Sequence, residues 1–357
     1  MFNKIILTII MKQYIIMFVI VYSSEGRSED MATIQEVAQQ AKVSVATVSR
    51  YINNPDIVAK ATGLRVEEAI QDLNYEPSIL GRNLRKSESK LLIVLIPSIS
   101  NPFYIEIING IEDTAIEQGY NILLCQTDSN PKREAIYFNL IKNQLADGII
   151  TMDPAVDRKN LTEISREYPL VQCSEYDEEG IISYVTIDNE QAAYHAVRHL
   201  IKMGHTKIAM INSNEKFLYA RERKQGYVKA LKESGLSIQP NWLYTTENLK
   251  FDSGRQAMKN LLNQDEWPTA VFAVSDILAI GALKEINAIG LHVPRDIAVI
   301  GFDKIDFSNM TDPTLTTVAQ PMYKMGSTSA QMLIDKIAGK KTDSIILEHE
   351  LIIREST

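Results

Sequence analysis

The sequence predicts an α/β protein in which a small all-α helix-turn-helix headpiece precedes two tandem lobes, each built on a Rossmann-like parallel sheet. Three observations carry that prediction. Two short, capped helical segments lie back to back at residues 33–53. From Leu91 onward, short apolar runs alternate with amphipathic helices, the order of a doubly wound sheet. After Asp188 the same alternation begins again. A chain of 357 residues, 45% hydrophobic and 23% charged, can bury two sizeable lobes once the headpiece is set aside.

The first thirty residues fit this plan least well. Ile5 to Tyr22 is almost wholly apolar, but Lys12-Gln13 divides it into runs shorter than a membrane span. No small-residue cleavage signature follows Tyr22, and export would carry the next segment away from its target. Residues 1–30 are therefore read as a doubtful extension, with function beginning at Met31. The competing reading is a membrane tether, which makes residues 1–30 indispensable.

Residues 31–77 form the expected headpiece. Thr33 followed by Glu36 is a capping box, and Ile34, Val37, Ala38 and Ala41 give the first helix one apolar side. After Lys42-Val43, Ser44 caps a second helix whose apolar period is Val45, Val48 and Ile52, leaving Ala46, Thr47, Ser49 and Arg50 for other partners. Two capped helices joined by three or four residues make a helix-turn-helix, which places the start of its second helix against base edges.

Thr33-Ile34, Val37-Ala38, Val43-Ser44, Ala46-Thr47-Val48-Ser49-Arg50 and Asn53 resemble the signature of the LacI/GalR family of bacterial transcription regulators. Asn74-Tyr75-Glu76-Pro77, followed by Gly81-Arg82-Asn83-Leu84-Arg85, is similar to that family's hinge, a short helix that folds on operator DNA. The resemblance implies that residues 78–90 are hinge and linker. In it Leu84 is the minor-groove wedge, with Ser78, Gly81 and Arg85 beside it and Arg82, Arg85 and Lys86 on phosphates. Thr33, Ser44, Thr47, Ser49 and Asn53 are the further candidate DNA contacts. Arg50 has the reach for a guanine, and Val45 and Ala46 suit thymine methyls.

Two positions depart from the family pattern. Lys42 stands where glycine is usual and has to take a positive φ. Ala59-Lys60-Ala61-Thr62-Gly63 offers a poor helix start, which predicts that Thr62 caps a short third helix over about Leu64–Leu73.

Beyond the linker, Leu91–Ile96, Asn121–Cys125, Gly148–Met152, Leu170–Cys173 and Val185–Ile187 read as buried strands. Helices are expected near 104–118, 132–145 and 157–167. The second series has strands near 207–211, 242–245, 270–274 and 297–300, and helices near 189–203, 219–234, 253–263 and 276–289. Tandem lobes imply a cleft in which ligands meet the carboxyl ends of strands. The resemblance adds that residues 91–357 look like periplasmic binding proteins and cross between lobes three times. It puts lobe one at about 91–188 and 321–348, and lobe two at about 189–320 and 349–357.

Candidate effector residues follow from the same likeness. Asn101, Phe103 and Tyr104 resemble the family's ligand loop, although an Asn-Pro turn with core aromatics explains them equally well. Arg223, three residues before Gly226, and Asp303, at the end of Val299-Ile-Gly-Phe-Asp303, match residues that face an effector. A charge directly after a buried strand is costly unless it meets a ligand or a partner, so the alternative is a structural ion pair. Ser275-Asp276 stands where sugar responders carry Asn-Asp, and Leu249 where purine responders carry an aromatic. The choice between a sugar and a nucleoside stays open.

Nothing points to catalysis or to a cofactor. The phosphate-loop, dinucleotide, nucleophile-elbow and zincin patterns are all missing from the sequence. His195 and His199 share a helical face near His205, but without an acidic or thiol partner at matching spacing they read as solvated helix residues, and no metal is expected. Cys125 and Cys173 read as buried free thiols. The net charge is −8, yet residues 31–90 carry eight Lys/Arg against seven Asp/Glu, so the body beyond them is strongly acidic. The expected protein is a cytoplasmic homodimeric repressor on a pseudo-palindromic operator, controlled by a small-molecule sugar or nucleoside. A catabolite-control regulator answering to a phosphorylated carrier protein is the alternative.

Overall fold

The computed structural model describes residues 5–6, 21–22, 32–75, 88–152 and 158–357. The chain divides into two compact units, Met1–Ser87 and Glu88–Thr357. In the first, a two-residue antiparallel ladder pairs Ile5–Ile6 with Val21–Tyr22. No helix among the described residues is long and apolar enough to cross a membrane.

The headpiece comprises α1 (Ile34–Ala41), α2 (Val45–Asn53), a 3-10 turn (Pro55–Ile57) and α3 (Lys60–Asp72). Val37, Ala38, Ala41, Val48, Val66 and Ala69 are buried together, with Ile34, Tyr51 and Ile52 packed around them. These are the periodic apolar positions of the sequence, apart from Val45, which stays exposed. Gln40 ties α1 to α3 by donating to Asp72 at 3.0 Å.

The third helix corrects the sequence expectation. It begins at Lys60, not near Leu64, and its N-cap Ala59 makes no side-chain cap bond. The first turn is closed by Thr62 and Gly63 amides on the Ala59 carbonyl, at 2.8 and 2.9 Å. Gly63 is buried because a Cβ there would come within 2.9 Å of the Tyr51 ring. Close packing of α3 on α2 therefore outweighs the low helix propensity of glycine.

The second unit holds both lobes. In lobe one, β1 (Leu91–Ile96), β2 (Asn121–Gln126), β3 (Gly148–Thr151), β4 (Leu170–Cys173) and β5 (Tyr184–Ile187) form a parallel sheet. Helices α4 (Phe103–Glu117), α5 (Pro131–Lys142) and α6 (Arg158–Glu167) alternate with these strands. Lobe two repeats the plan with α7 (Asn189–Lys202), β6 (Ile208–Asn212), α8 (Leu218–Glu233) and β7 (Leu243–Thr245). It continues through α9 (Phe251–Leu262), β8 (Ala270–Ala273), α10 (Asp276–Ala288), β9 (Ala298–Asp303) and β10 (Thr316–Ala319). The chain then returns to lobe one as α11 (Met322–Ile337) and β11 (Ile345–Leu347), and ends in lobe two with β12 (Glu350–Ile352).

The strand orders are β11-β5-β4-β3-β1-β2 and β12-β10-β9-β8-β6-β7, parallel throughout except for β12, which runs antiparallel to β10. Three crossovers thus join the lobes, at Asp188, at Gln320-Pro321 and at Glu348-His349. The sequence pattern missed β10 and the two short closing strands. Thr316 and Thr317 are fully buried polar residues that blur the apolar run, and three-residue edge strands carry little periodicity.

The two halves of lobe one lock where α4 crosses α11. A Cβ on Gly110 would lie 2.1 Å from the Tyr323 carbonyl oxygen, and one on Gly326 would lie 2.0 Å from that of Ile107. Only glycine allows backbones this close. Gly326→Ala should therefore destabilise the core by about 1–3 kcal/mol, despite alanine's higher helix propensity. Urea unfolding followed by circular dichroism measures this, and an unchanged midpoint would sink the packing assignment.

Candidate functional site: a reading helix and an interlobe cleft

The exposed face of α2 is set up by its neighbours. Thr33 accepts from the Glu36 amide at 3.3 Å, while Glu36 Oε2 accepts from the Thr33 amide at 2.6 Å, so the capping box forms as the sequence indicates. α1 ends at Lys42, whose φ of 53° is left-handed, and the Val43 amide closes the turn on Ala38 at 2.9 Å. Ser44 then caps α2 by accepting from the Thr47 amide at 3.2 Å.

With Val48 turned into the core, Ser44, Val45, Ala46 and Arg50 are exposed and Thr47 and Ser49 half-exposed. The structure thus brings most of the sequence's DNA candidates to one helix and its cap. The Thr47 hydroxyl lies 2.9 Å from that of Ser44, so those two act as a pair. Asn53 closes the helix. Ser78, Gly81, Leu84 and Arg85, with the rest of the hinge, lie outside the described residues.

The cleft is organised on Arg223 of α8, which is 4% exposed. Its Nε donates to Asn189 at 2.9 Å and its Nη1 to the Val274 carbonyl, while Nη1 lies 3.6 Å from Asp303 Oδ1. The guanidinium rests 3.5 Å from the Phe302 ring centroid and 5.0 Å from that of Tyr219. Asp303 also accepts from Gln320 at 2.8 Å. Burial raises the Asp303 pKa to about 6, against the opposing pull of Arg223 and Gln320.

Asp276 stands behind this pair. It is fully buried, and its two oxygens accept from the Ile305 amide at 2.9 Å and the Thr317 hydroxyl at 2.6 Å. Burial, then the nearby Asp303 charge, pushes its pKa well above the usual carboxylate range. Gly301 makes room for it, since a Cβ there would meet Asp276 Oδ1 at 2.3 Å. The Asp276–Ile305 bond braces the turn after β9, where Asp303 and Lys304 take φ of 114° and 60°. That backbone is strained for any residue with a side chain, and such strain concentrates at functional sites.

The other candidates are spread more widely. Ser275 caps α10, accepting from the Leu278 amide at 3.4 Å. Asn101 accepts from the Phe103 amide at 3.1 Å, an Asx turn. Phe103 is buried in the lobe-one core with Tyr104 packed edge-on, 5.1 Å between ring centroids. Leu249 is half-buried against the core of lobe two.

Several cleft residues escaped the sequence reading. Glu222 accepts from Tyr176 at 2.8 Å and from Asn189 at 3.1 Å, and burial raises its pKa. Glu175 of lobe one accepts from the Leu218 and Tyr219 amides, both at 2.9 Å, so it caps α8 from the opposite lobe. Arg221 donates to Glu178 at 2.7 Å nearby. The adjacency of Glu222 to Arg223, and of Asn189 to the first crossover, were the signals available.

The histidine reading needs correction. His199 lies half-buried 3.0 Å from the Thr357 hydroxyl, and His205 3.0 Å from that of Thr269, with the pKa of each lowered by burial. They are packed rather than solvated. Both cysteines are buried free thiols, raised to about 12 by burial.

Comparison with known proteins agrees with this geometry. Residues 33–78 match the family model described as bacterial regulatory proteins, lacI family. Residues 89–355 match periplasmic binding proteins and sugar binding domain of LacI family. The chain is 39% identical over 334 residues to the HTH-type transcriptional repressor CytR of Escherichia coli (strain K12), covering 93% of this chain and 98% of that one. It is 37% identical to catabolite control protein A of Priestia megaterium, covering 91% and 99%. Among solved structures, the lac repressor dimer bound to operator and the anti-inducer ONPF is 27% identical with a TM-score of 0.82, covering 91% and 99%.

Two measurements test the site's physics. Lys42→Gly should relieve the left-handed lysine and raise headpiece stability by about 1 kcal/mol. Hydrogen exchange of the α1–α3 amides reads this, and unchanged protection would refute strain at that turn. Second, the folded core holds protons on Asp303 and Asp276 that the unfolded chain has released. The Asp303 contribution is therefore fully present below its ordinary carboxylate value and is lost as pH rises through about 6, and Asp276 acts in the same direction. Asp303→Asn should flatten the pH dependence of the unfolding free energy from urea titration across that window by on the order of 2 kcal/mol, whereas a wild-type slope would remove Asp303 as the titrating group.

Proposed function

Because the chain belongs to the LacI family of bacterial regulatory proteins, we propose that it is a homodimeric operator-binding repressor controlled by a small polar effector between its lobes. The buried Arg223–Asp303 pair carries this reading. Two opposite charges, Arg223 on α8 and Asp303 at the carboxyl end of β9, flanked by Asn189, Gln320 and Glu222, offer donors and acceptors suited to the hydroxyls of a sugar or nucleoside. The Tyr219 and Phe302 faces add apolar walls beside them.

A dimer sets two α2 helices one helical turn apart on a pseudo-palindrome in the cytoplasm, where its DNA lies. Ser44, Thr47, Ser49 and Asn53 hold phosphates and Thr33 assists, while Arg50, Val45 and Ala46 read bases. Leu84, with Ser78, Gly81 and Arg85, forms the hinge contact with the minor groove. An effector that closes the cleft favours one disposition of the lobes over another, and so changes the affinity for operator by its differential binding. Asn101, Phe103, Tyr104, Leu249, Ser275 and Asp276 are the further effector candidates of this reading, and Asp276 acts by holding the turn that carries Asp303.

Gel-shift titration against the upstream intergenic DNA, with a panel of sugars and nucleosides, tests the whole reading. Specific binding altered by one small molecule is expected, and no specific binding under any addition would overturn it. Arg50→Ala should cost about 1–3 kcal/mol on the specific site and relax one base position, whereas equal loss on all DNA would demote Arg50 to a phosphate contact. Arg223→Ala should abolish the small-molecule response while DNA binding persists. A normal response, combined with dependence on a phosphorylated carrier protein, would favour catabolite control instead.

A further inference from the structure

The sequence places His195 beside His199, but the structure pairs it with a histidine 154 residues away. His195 Nδ1 lies 3.1 Å from His349 Nε2, with ring centroids 5.3 Å apart and the planes tilted by 41°. The rings therefore meet nitrogen to nitrogen and are not stacked. His195 sits on α7, two turns beyond the first crossover at Asp188, and His349 is in the third crossover, between β11 and β12. The pair joins two of the three segments that connect the lobes.

We propose that His195 and His349 form a two-imidazole site for a divalent transition-metal ion of the zinc, nickel and copper class. Adjacent ligand nitrogens around such an ion, at bonds of about 2.0–2.1 Å, lie about 2.9 Å apart in square geometry and about 3.4 Å apart in tetrahedral geometry. The observed 3.1 Å falls between these, so a small swing of the exposed His195 ring opens the position.

The remaining nitrogen of His195 has its own partner. Nε2 lies 2.9 Å from the Gln191 amide, one turn back on the same helix. With the amide oxygen turned toward it, Gln191 accepts from Nε2–H and leaves the Nδ1 lone pair for the ion, the orienting contact that metal-bound histidines ordinarily have. Loading then needs no net proton release from the neutral pair, since the His195 proton moves from Nδ1 to Nε2. The exposed carboxylates of Asp188 and Glu348 add attraction for a cation, and both act on His349. No group of three or more His, Cys, Asp or Glu suited to a metal occurs among the described residues. Two imidazoles hold the ion and water completes its shell, leaving it exchangeable.

Calorimetric titration of the chelator-treated full chain with Zn2+ is expected to give one equivalent per chain. Binding should weaken at least tenfold in His195→Gln and in His349→Ala, and by about tenfold in Gln191→Ala, which loses only the orienting contact. His195 is exposed, so its variant should fold, and unchanged circular dichroism checks this. Cu2+ on the wild type supplies an independent readout, with two imidazole nitrogens expected in its electron paramagnetic resonance spectrum. No Zn2+ binding by the wild type, wild-type affinity in either histidine variant, or a single coordinating nitrogen would each overturn the site.

Discussion

A full positive charge that water barely reaches has to be matched from within the protein, and Arg223 sets that requirement for the whole cleft. An unmatched buried ion costs several kcal/mol. The compensation comes from four directions: the Asp303 carboxylate, the Val274 carbonyl, the Asn189 amide and the face of Phe302. They come from three places in lobe two, the end of β9 for Asp303 and Phe302, the end of β8 for Val274 and the start of α7 for Asn189, so the lobe must be correctly assembled before the charge is tolerated. The demand propagates outward. Asp303 can face Arg223 only through a strained turn, the turn is held by Asp276, and Asp276 fits only because residue 301 is glycine.

The same charge also reaches the joints between lobes. Asn189 opens the helix after the first crossover and Gln320 lies in the second, and each bonds one member of the ion pair. Lobe one answers with Glu175 on the N-terminus of α8, where the helix dipole favours a carboxylate, and with Tyr176 on Glu222. The cleft charges and the joints are therefore one hydrogen-bonded system. A molecule that competes for Arg223 or Asp303 acts on the crossovers directly, with no relay through the sheets.

The sequence revealed what is periodic and concealed what depends on distant contact. Leu91–Ile96 and Leu170–Cys173 were legible to the residue because strands buried on both faces read as unbroken apolar runs. The capping box at Thr33, the Ser44 cap and the left-handed Lys42 were legible because their chemistry is local. By contrast, the first turn of α3 carries Gly63 where the ring of Tyr51 packs, a fact no window around Thr62 contains. Glu175 and Tyr176 are polar residues in a loop until the opposite lobe is in place. Asp276 illustrates the limit differently, since its position next to Ser275 suggested an effector contact and its oxygens are taken by Ile305 and Thr317. The histidine spacing misled for the same reason, because a period of four marks neighbours on a helix and says nothing about a crossover strand arriving from lobe one.

The headpiece is economical in every respect that bears on affinity. Its core rests on a few small side chains, its third helix lacks a side-chain cap, and a lysine occupies a left-handed turn. Its charge barely exceeds neutrality, so in the proposed complex one copy draws little long-range attraction to DNA and its hold would be weak. Weak single contacts make the joint binding of two copies decisive, because the second contact is governed by effective concentration and not by its own affinity. Effective concentration depends steeply on whether the spacing fits. A body that alters only the separation of two headpieces can therefore switch occupancy of a site while leaving every base-reading side chain unchanged, and a more basic or more stable headpiece would blunt that control.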